Sequence, residues 1–238
     1  MKARPVSTRS WKKNPGSDVV LPFGEKARWF LGVWGASILY AIVRYNVFGD
    51  VPWIHLPAYI VNKSFAIAAI ALVSLSYLTG KWIKAYPNDA RSRRSLAKFL
   101  GLSGFYFAGL HIVLSLLLFS PANYAKFFME DGGKLNLTGE VTFLFGVLAI
   151  GFLMFPAITT LPLMYEALGG ERWQRAQRMG YWAIAMVAGH TLTMGYKGWL
   201  DPSGWHGGMP PITLWGFLLA VAALIAKATS GPGKRQVD

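Results

Sequence analysis

Six long apolar runs dominate the sequence, at residues 28–48, 60–80, 98–119, 141–165, 177–198 and 210–228, and little chain is left between them. A helix needs about 20 predominantly apolar residues to cross a bilayer, so each run is long enough for one crossing. Barrel strands are excluded, because they alternate in polarity over about ten residues instead of staying apolar over twenty. The expected fold is an all-α integral membrane protein, a six-transmembrane-helix bundle. Composition agrees: of 238 residues 53% are hydrophobic and 15% charged, and the mean hydropathy is +0.35. A soluble domain carries about 25% charged residues. No separate nucleotide-binding or catalytic domain fits in the remainder.

The net charge of +13 raises the question of nucleic acid, which the distribution of the charges answers. Lys and Arg number seven up to the start of the first run, six between the second and third, three between the fourth and fifth, and three at the end. Against these nineteen, the alternate connections hold Lys126, Lys134 and Lys197 alone. Such a bias in short loops is the positive-inside signal, so both termini are expected in the cytoplasm of a multi-pass cell (inner) membrane protein. Membrane lipid is the expected partner of the basic excess, and no nucleic acid is expected. Residues 1–27 read as a basic cytoplasmic arm without the apolar core of a cleavable signal peptide, and residues 229–238 as a cytoplasmic tail. Trp29, Tyr59, Trp82, Trp173, Tyr196, Trp199 and Trp215 fall near run ends, as interfacial anchors do. Pro156 and Pro162 are expected to bend the fourth helix. Gly101, Gly104 and Gly109 allow a neighbouring helix, or a flat cofactor, to approach the third.

With no cysteine, the chain has no disulfide, thiolate metal site or thioether tether for a c-type haem, which leaves histidine to grip a metal cofactor. His111 and His190 lie inside apolar runs, where an unpartnered imidazole is costly. His111 is thirteen residues beyond Lys98, and His190 thirteen beyond Gln177, on helices expected to run in the same direction. At the helical rise both rings reach a level on the order of 20 Å from the inner end. Two histidines at one depth on separate helices suit the two faces of a six-coordinate haem iron. Each ring bonding a neighbouring helix is the bland alternative; zinc asks for three or four ligands.

The stretch RRSLAKFLGLSGFYFAGLH, residues 93–111, resembles the opening of the ferric-reductase-like transmembrane domain, in which an Arg-rich loop leads into a helix ending on histidine. FPAITTLPLMYEALGGERWQRAQRMGYWAIAMVAGH, residues 155–190, is similar to that family's next loop and second histidine helix. Within the family the motifs look most like the membrane haem subunits of the periplasmic methionine sulfoxide reductase system. The resemblance covers residues 91–195 and implies a b-type cytochrome passing electrons from a cytoplasmic flavin-dependent donor to an outer acceptor. Many relatives carry a further histidine at the position here occupied by Gln177, and Ala97 and Lys98 stand opposite it. One haem b is therefore expected, with His111 and His190 as axial ligands of its iron, and residues 28–228 form a six-helix haem domain.

An inner half without a redox centre calls for FMN or a quinone near the cytoplasmic face. Trp173, Arg175, Gln177 and Arg178 are candidates to bind it, against the plainer reading of an ordinary basic loop. Arg44 and Lys63, near the outer ends of the first two helices, suit haem propionates or snorkelling to headgroups equally well. His55 and His206 fall in outer loops. The expected function is an electron-transfer subunit of an oxidoreductase, fed by a cytoplasmic flavin reductase or quinol donor and emptied by an outer-face or periplasmic redox partner. A non-catalytic scaffold subunit of a membrane complex is the reading from another class.

Overall fold

The computed structural model describes residues 21–85, 90–131 and 133–229, so most of the predicted arm, residues 1–20, and of the tail, residues 230–238, lies outside the described residues, as does the side chain of Trp82. Six long helices follow in order: α1 (Phe23–Ile42), α2 (Val61–Ala85), α3 (Ala90–Leu118), α4 (Leu137–Ile158), α5 (Pro162–Trp199) and α6 (Ile212–Ala228). Among the described residues five spans are long and apolar enough to cross a membrane: Phe23–Val47, Trp53–Thr79, Arg91–Leu118, Leu137–Ile158 and His206–Ala228. The helix that falls short is α5. Its first part reads GGERWQRAQR, and its apolar part is diluted by His190, Thr191, Thr193 and several aromatic residues.

Pro162 does not bend the fourth helix. α4 ends at Ile158, three residues of turn follow, and Pro162 opens α5. A proline suits that position because its missing N–H is one the first helical turn leaves unpaired anyway. Pro156 does sit inside α4, close to its end. Gly169, with φ +69°, then divides α5 into a short segment and a long one, a backbone conformation that costs glycine nothing. The C-terminal end of α1 and the N-terminal end of α2 are drawn out by π-helical turns at Val43–Val47 and Leu56–Ile60, and π turns often mark functional sites.

Packing divides the bundle into two intimate pairs, α2 with α3 and α4 with α5, while α6 lies against both α5 and α2. α3 and α4 meet only lightly. The α2–α3 seam is close because α3 presents Gly101 and Gly104: a Cβ on Gly104 would stand 2.7 Å from Val73 Cγ2 and 3.0 Å from the Val73 backbone nitrogen. Nothing lies within 4 Å of the corresponding point on Gly109. The first two glycines therefore serve packing. Gly104→Ala is expected to lower stability by about 1–3 kcal/mol, the usual penalty for overpacking. Gly109→Ala should stay within about 0.5 kcal/mol of the parent. Unfolding midpoints in detergent check both.

Candidate functional site

Between the two helix pairs lies a cavity of about 860 Å³, within the usual range for small-molecule and cofactor sites, and both His111 and His190 line it. His111 comes from α3 and His190 from α5, so each helix pair supplies one imidazole. Each ring is held by the other helix of its own pair. On α2, the Asn62 side-chain oxygen lies 2.7 Å from His111 Nδ1, and on α4 the Thr142 carbonyl lies 2.9 Å from His190 Nδ1. A carbonyl oxygen can only accept, so His190 carries its proton on Nδ1 and leaves Nε2 as a bare lone pair. The Asn62 amide nitrogen donates to Ser115 Oγ at 3.0 Å while its oxygen faces His111, an amide orientation that pairs with the same tautomer there. Both faces thus offer a metal-ready Nε2 backed by a hydrogen bond on Nδ1, the arrangement in which histidine ligates metals. Gly146 on α4 makes room for the His190 ring: a Cβ there would stand 3.3 Å from Nδ1.

The charged residues of the cavity lining are all cationic among the described residues. Arg44, Lys63, Lys126 and Lys197 line the cavity, and no Asp or Glu does among the described residues. Arg44, 4% exposed, sits in the π turn at the end of α1 and donates from Nε to the carbonyls of Met209 at 3.1 Å and Pro210 at 2.8 Å. It is buried in protein and ties the α5–α6 loop to α1. Lys63 Nζ stands over the Tyr45 and Tyr59 rings, 4.7 and 4.3 Å from their centroids. Lys126 is placed by the loop before α4: Asn136 caps that helix through Gly139 N and donates back to the carbonyls of Lys126 and Phe128. Lys126 Nζ in turn donates to Met194 O on α5 at 2.8 Å. Lys126 is an exposed residue that lines the cavity, and partial desolvation of its ammonium there pulls its pKa down to about 8, with the charge of Lys63 adding to the effect.

Asn62, Ser115, Thr142, Gly146 and Lys126 were not singled out from the sequence. Asn62 and Ser115 carried a usable signal, since polar residues within apolar runs seek partners across helices. Thr142 acts through its backbone, which no sequence pattern marks. Trp173 and Arg178 do not line the cavity. Trp173 Nε1 donates to Thr159 O at 2.8 Å and its ring meets that of Tyr165, while Arg178 is exposed. Gln177 faces the α4–α5 turn, donating to Thr159 Oγ1 at 2.8 Å and Pro156 O at 3.2 Å. Lys98 Nζ reaches the same turn, at Thr160 O. His55 and His206 are exposed, and the His206 ring lies 6.5 Å from that of Tyr45. Among the described residues no group of three or more His, Cys, Asp or Glu is placed to hold a bare metal ion.

No family model matches the chain. Among curated proteins it is similar to the metalloreductase STEAP2 of Homo sapiens, 26% identical over 197 residues that make up 72% of this chain and 40% of that protein. The Mus musculus metalloreductase STEAP2 is 29% identical over 167 residues, 60% of this chain and 34% of the relative. The Rattus norvegicus metalloreductase STEAP3 is 27% identical over 197 residues, again 72% and 40%. The chain therefore spans well under half the length of the relatives it matches. This distant likeness runs in the same direction as the coarse ferric-reductase-like resemblance of the sequence motifs, and the all-helical architecture with several apolar spans agrees with it.

The lowered pKa of Lys126 gives the cation cluster a pH signature. A carboxylate bound beside Lys126 favours its charged form, so binding of a carboxylate-bearing ligand is strongest below the Lys126 pKa. It weakens as the pH rises through about 8. Titration of methyl-labelled lysines by NMR should find one group near 8 in the ligand-free protein and see it move toward the ordinary lysine value of 10.5 on loading. A Lys126→Met variant should lose that resonance and flatten the pH dependence.

Proposed function

We propose that this chain is a transmembrane electron-transfer protein that holds one haem b between His111 and His190. The observation that carries the reading is the matched pair of imidazoles. Each has Nδ1 bonded to an acceptor on the neighbouring helix, and each leaves a bare Nε2 on the same apolar-walled cavity. A scaffold protein using its histidines for packing has no need to leave both inner nitrogens unpaired. A bound haem supplies one-electron redox chemistry, and the protein supplies ligands, orientation and surrounding charge. His111 and His190 would hold the iron, Arg44, Lys63, Lys126 and Lys197 would receive the two propionates, and Val73, Leu153 and Ile184 would wall the site against water.

Six crossings with both termini in the cytoplasm follow from this reading, with α5 as the crossing that hydropathy alone undercounts. Support comes from its packing along α4 and α6 and from the bias of Lys and Arg between alternate connections. A single haem is supported by what fills the inner half. Tyr77 occupies the space left by Gly180, donates to Gln177 O at 2.8 Å, and lies with its ring centroid 4.5 Å from that of Tyr181. Gln177, at the position of a further ligand in two-haem relatives, is engaged with the α4–α5 turn.

The direction we assign is outward, from a flavin or quinol donor at the cytoplasmic face to an acceptor outside, since an inside-negative membrane favours an electron leaving by about 2.3 kcal/mol per 100 mV. Metal reduction, named for the mammalian relatives, is one acceptor chemistry for such a chain. The finer likeness to membrane haem subunits of periplasmic methionine sulfoxide reductase systems rests on the motifs at residues 93–111 and 155–190 and points to a periplasmic protein instead. In bacteria-type topology the location is the inner membrane.

A reduced-minus-oxidised visible spectrum of protein expressed with adequate haem should show a b-type band, and pyridine haemochrome analysis one haem per chain. His111→Ala and His190→Ala should each abolish stable haem binding, whereas His55→Ala and His206→Ala should leave the spectrum unchanged. A colourless parent protein, or two haems per chain, sinks this reading as stated.

A further inference from the structure

The two imidazoles are backed in different ways. His190 leans on a main-chain carbonyl, which no side-chain substitution removes, whereas His111 leans on the Asn62 carboxamide. Asn62 is 2% exposed, in the first turn of α2, and both ends of its amide are used: the oxygen on His111 Nδ1 at 2.7 Å and the nitrogen on Ser115 Oγ at 3.0 Å. Ser115 lies one helical turn beyond His111 on α3, with Oγ 3.3 Å from the same Nδ1. The three side chains therefore form a closed unit that ties α2 to α3 at the level of the ring. Apolar side chains make up most of the surrounding core, so an amide lost here leaves the imidazole N–H only the longer contact to Ser115 Oγ in a poor solvent.

We propose that Asn62 is a positioning residue that sets the orientation and donor strength of the His111 imidazole, and thereby the redox potential of the site. The inference rests on the haem reading above. A neutral amide accepts the Nδ1 proton without drawing it away, so His111 ligates as a neutral imidazole. A carboxylate at the same place pulls the proton toward itself, makes Nε2 a stronger donor and favours the ferric state. Removing the acceptor leaves the tautomer and ring plane unfixed, and loss of such a partner typically costs 10–100-fold in metal affinity. Ser115 supports the unit from the side, accepting from the Asn62 amide nitrogen and standing 3.3 Å from the same Nδ1.

The test compares the parent with Asn62→Asp, Asn62→Leu and Ser115→Ala in detergent, reading haem stoichiometry, midpoint potential and the low-temperature EPR of the ferric form. Asn62→Asp should keep its haem and shift the oxidised-to-reduced ratio at a fixed potential at least tenfold toward oxidised, a fall of 59 mV for one electron. Asn62→Leu should bind haem 10–100-fold more weakly, so that the acidic variant rescues what the apolar one loses. Ser115→Ala should retain haem with altered g-values. Should Asn62→Asp fail to fold, Ser115→Ala decides: parental potential and parental EPR in it overturn the proposal. Parental values in both Asn62→Asp and Ser115→Ala show Asn62 to be a packing residue and overturn it likewise, leaving the haem reading intact. A parent protein that takes up no haem overturns the haem reading and this inference with it.

Discussion

An imidazole inside an apolar helix bundle must bond its N–H to something, and this constraint organises the centre of the molecule. His111 and His190 are each satisfied by the helix paired with their own, through Asn62 on α2 and the Thr142 carbonyl on α4. Satisfying Nδ1 in this way sets the tautomer, and it leaves the lone pair on Nε2 of two rings that line the cavity between the pairs. The same two hydrogen bonds that make the histidines tolerable in the bundle therefore leave each with a nitrogen able to ligate. Packing follows suit: Gly104 lets α2 close onto α3, and Gly146 lets α4 lie against the His190 ring.

Charge is distributed around this centre with equal economy. Four cations line the cavity, no carboxylate lines it among the described residues, and the charged groups of Arg44, Lys63 and Lys126 are occupied with carbonyls and aromatic faces. Such partners hold a cation in place without neutralising it, so the positive potential remains available to an anionic group. Arg44 has a second role, since its bonds to Met209 and Pro210 fix the α5–α6 loop over the end of α1. The opposite half of the bundle is closed by the Tyr77, Tyr181 and Gln177 cluster, which makes the cavity a feature of one half of the fold.

Much was legible in the sequence because it depends on chain-local chemistry. Apolar runs long enough to cross a bilayer define the helices, the alternating Lys and Arg counts define an expected sidedness, and a histidine inside an apolar run stands out by its cost. The places where sequence and structure part have physical causes. Pro162 lies in what reads as one apolar run, yet a proline is as good at opening a helix as at bending one, and the turn at residues 159–161 exploits that. α5 reads as an ordinary run from 177 but begins at 162, because Gly169 allows a bend that joins two helical segments.

The sequence by itself determined that this is an all-helical chain of apolar spans with a histidine inside each of two apolar runs. Tertiary structure decided the rest: which helices pair, which nitrogen of each ring is free, and that Asn62, Thr142 and Lys126 belong to the site while Trp173 and Arg178 lie away from its cavity. Periodicity and composition report how each segment meets its surroundings, and they say nothing of which atom of a neighbouring helix stands 2.7 Å from an imidazole. A backbone carbonyl such as that of Thr142 exists at every residue, so only the packing of α4 on α5 selects it.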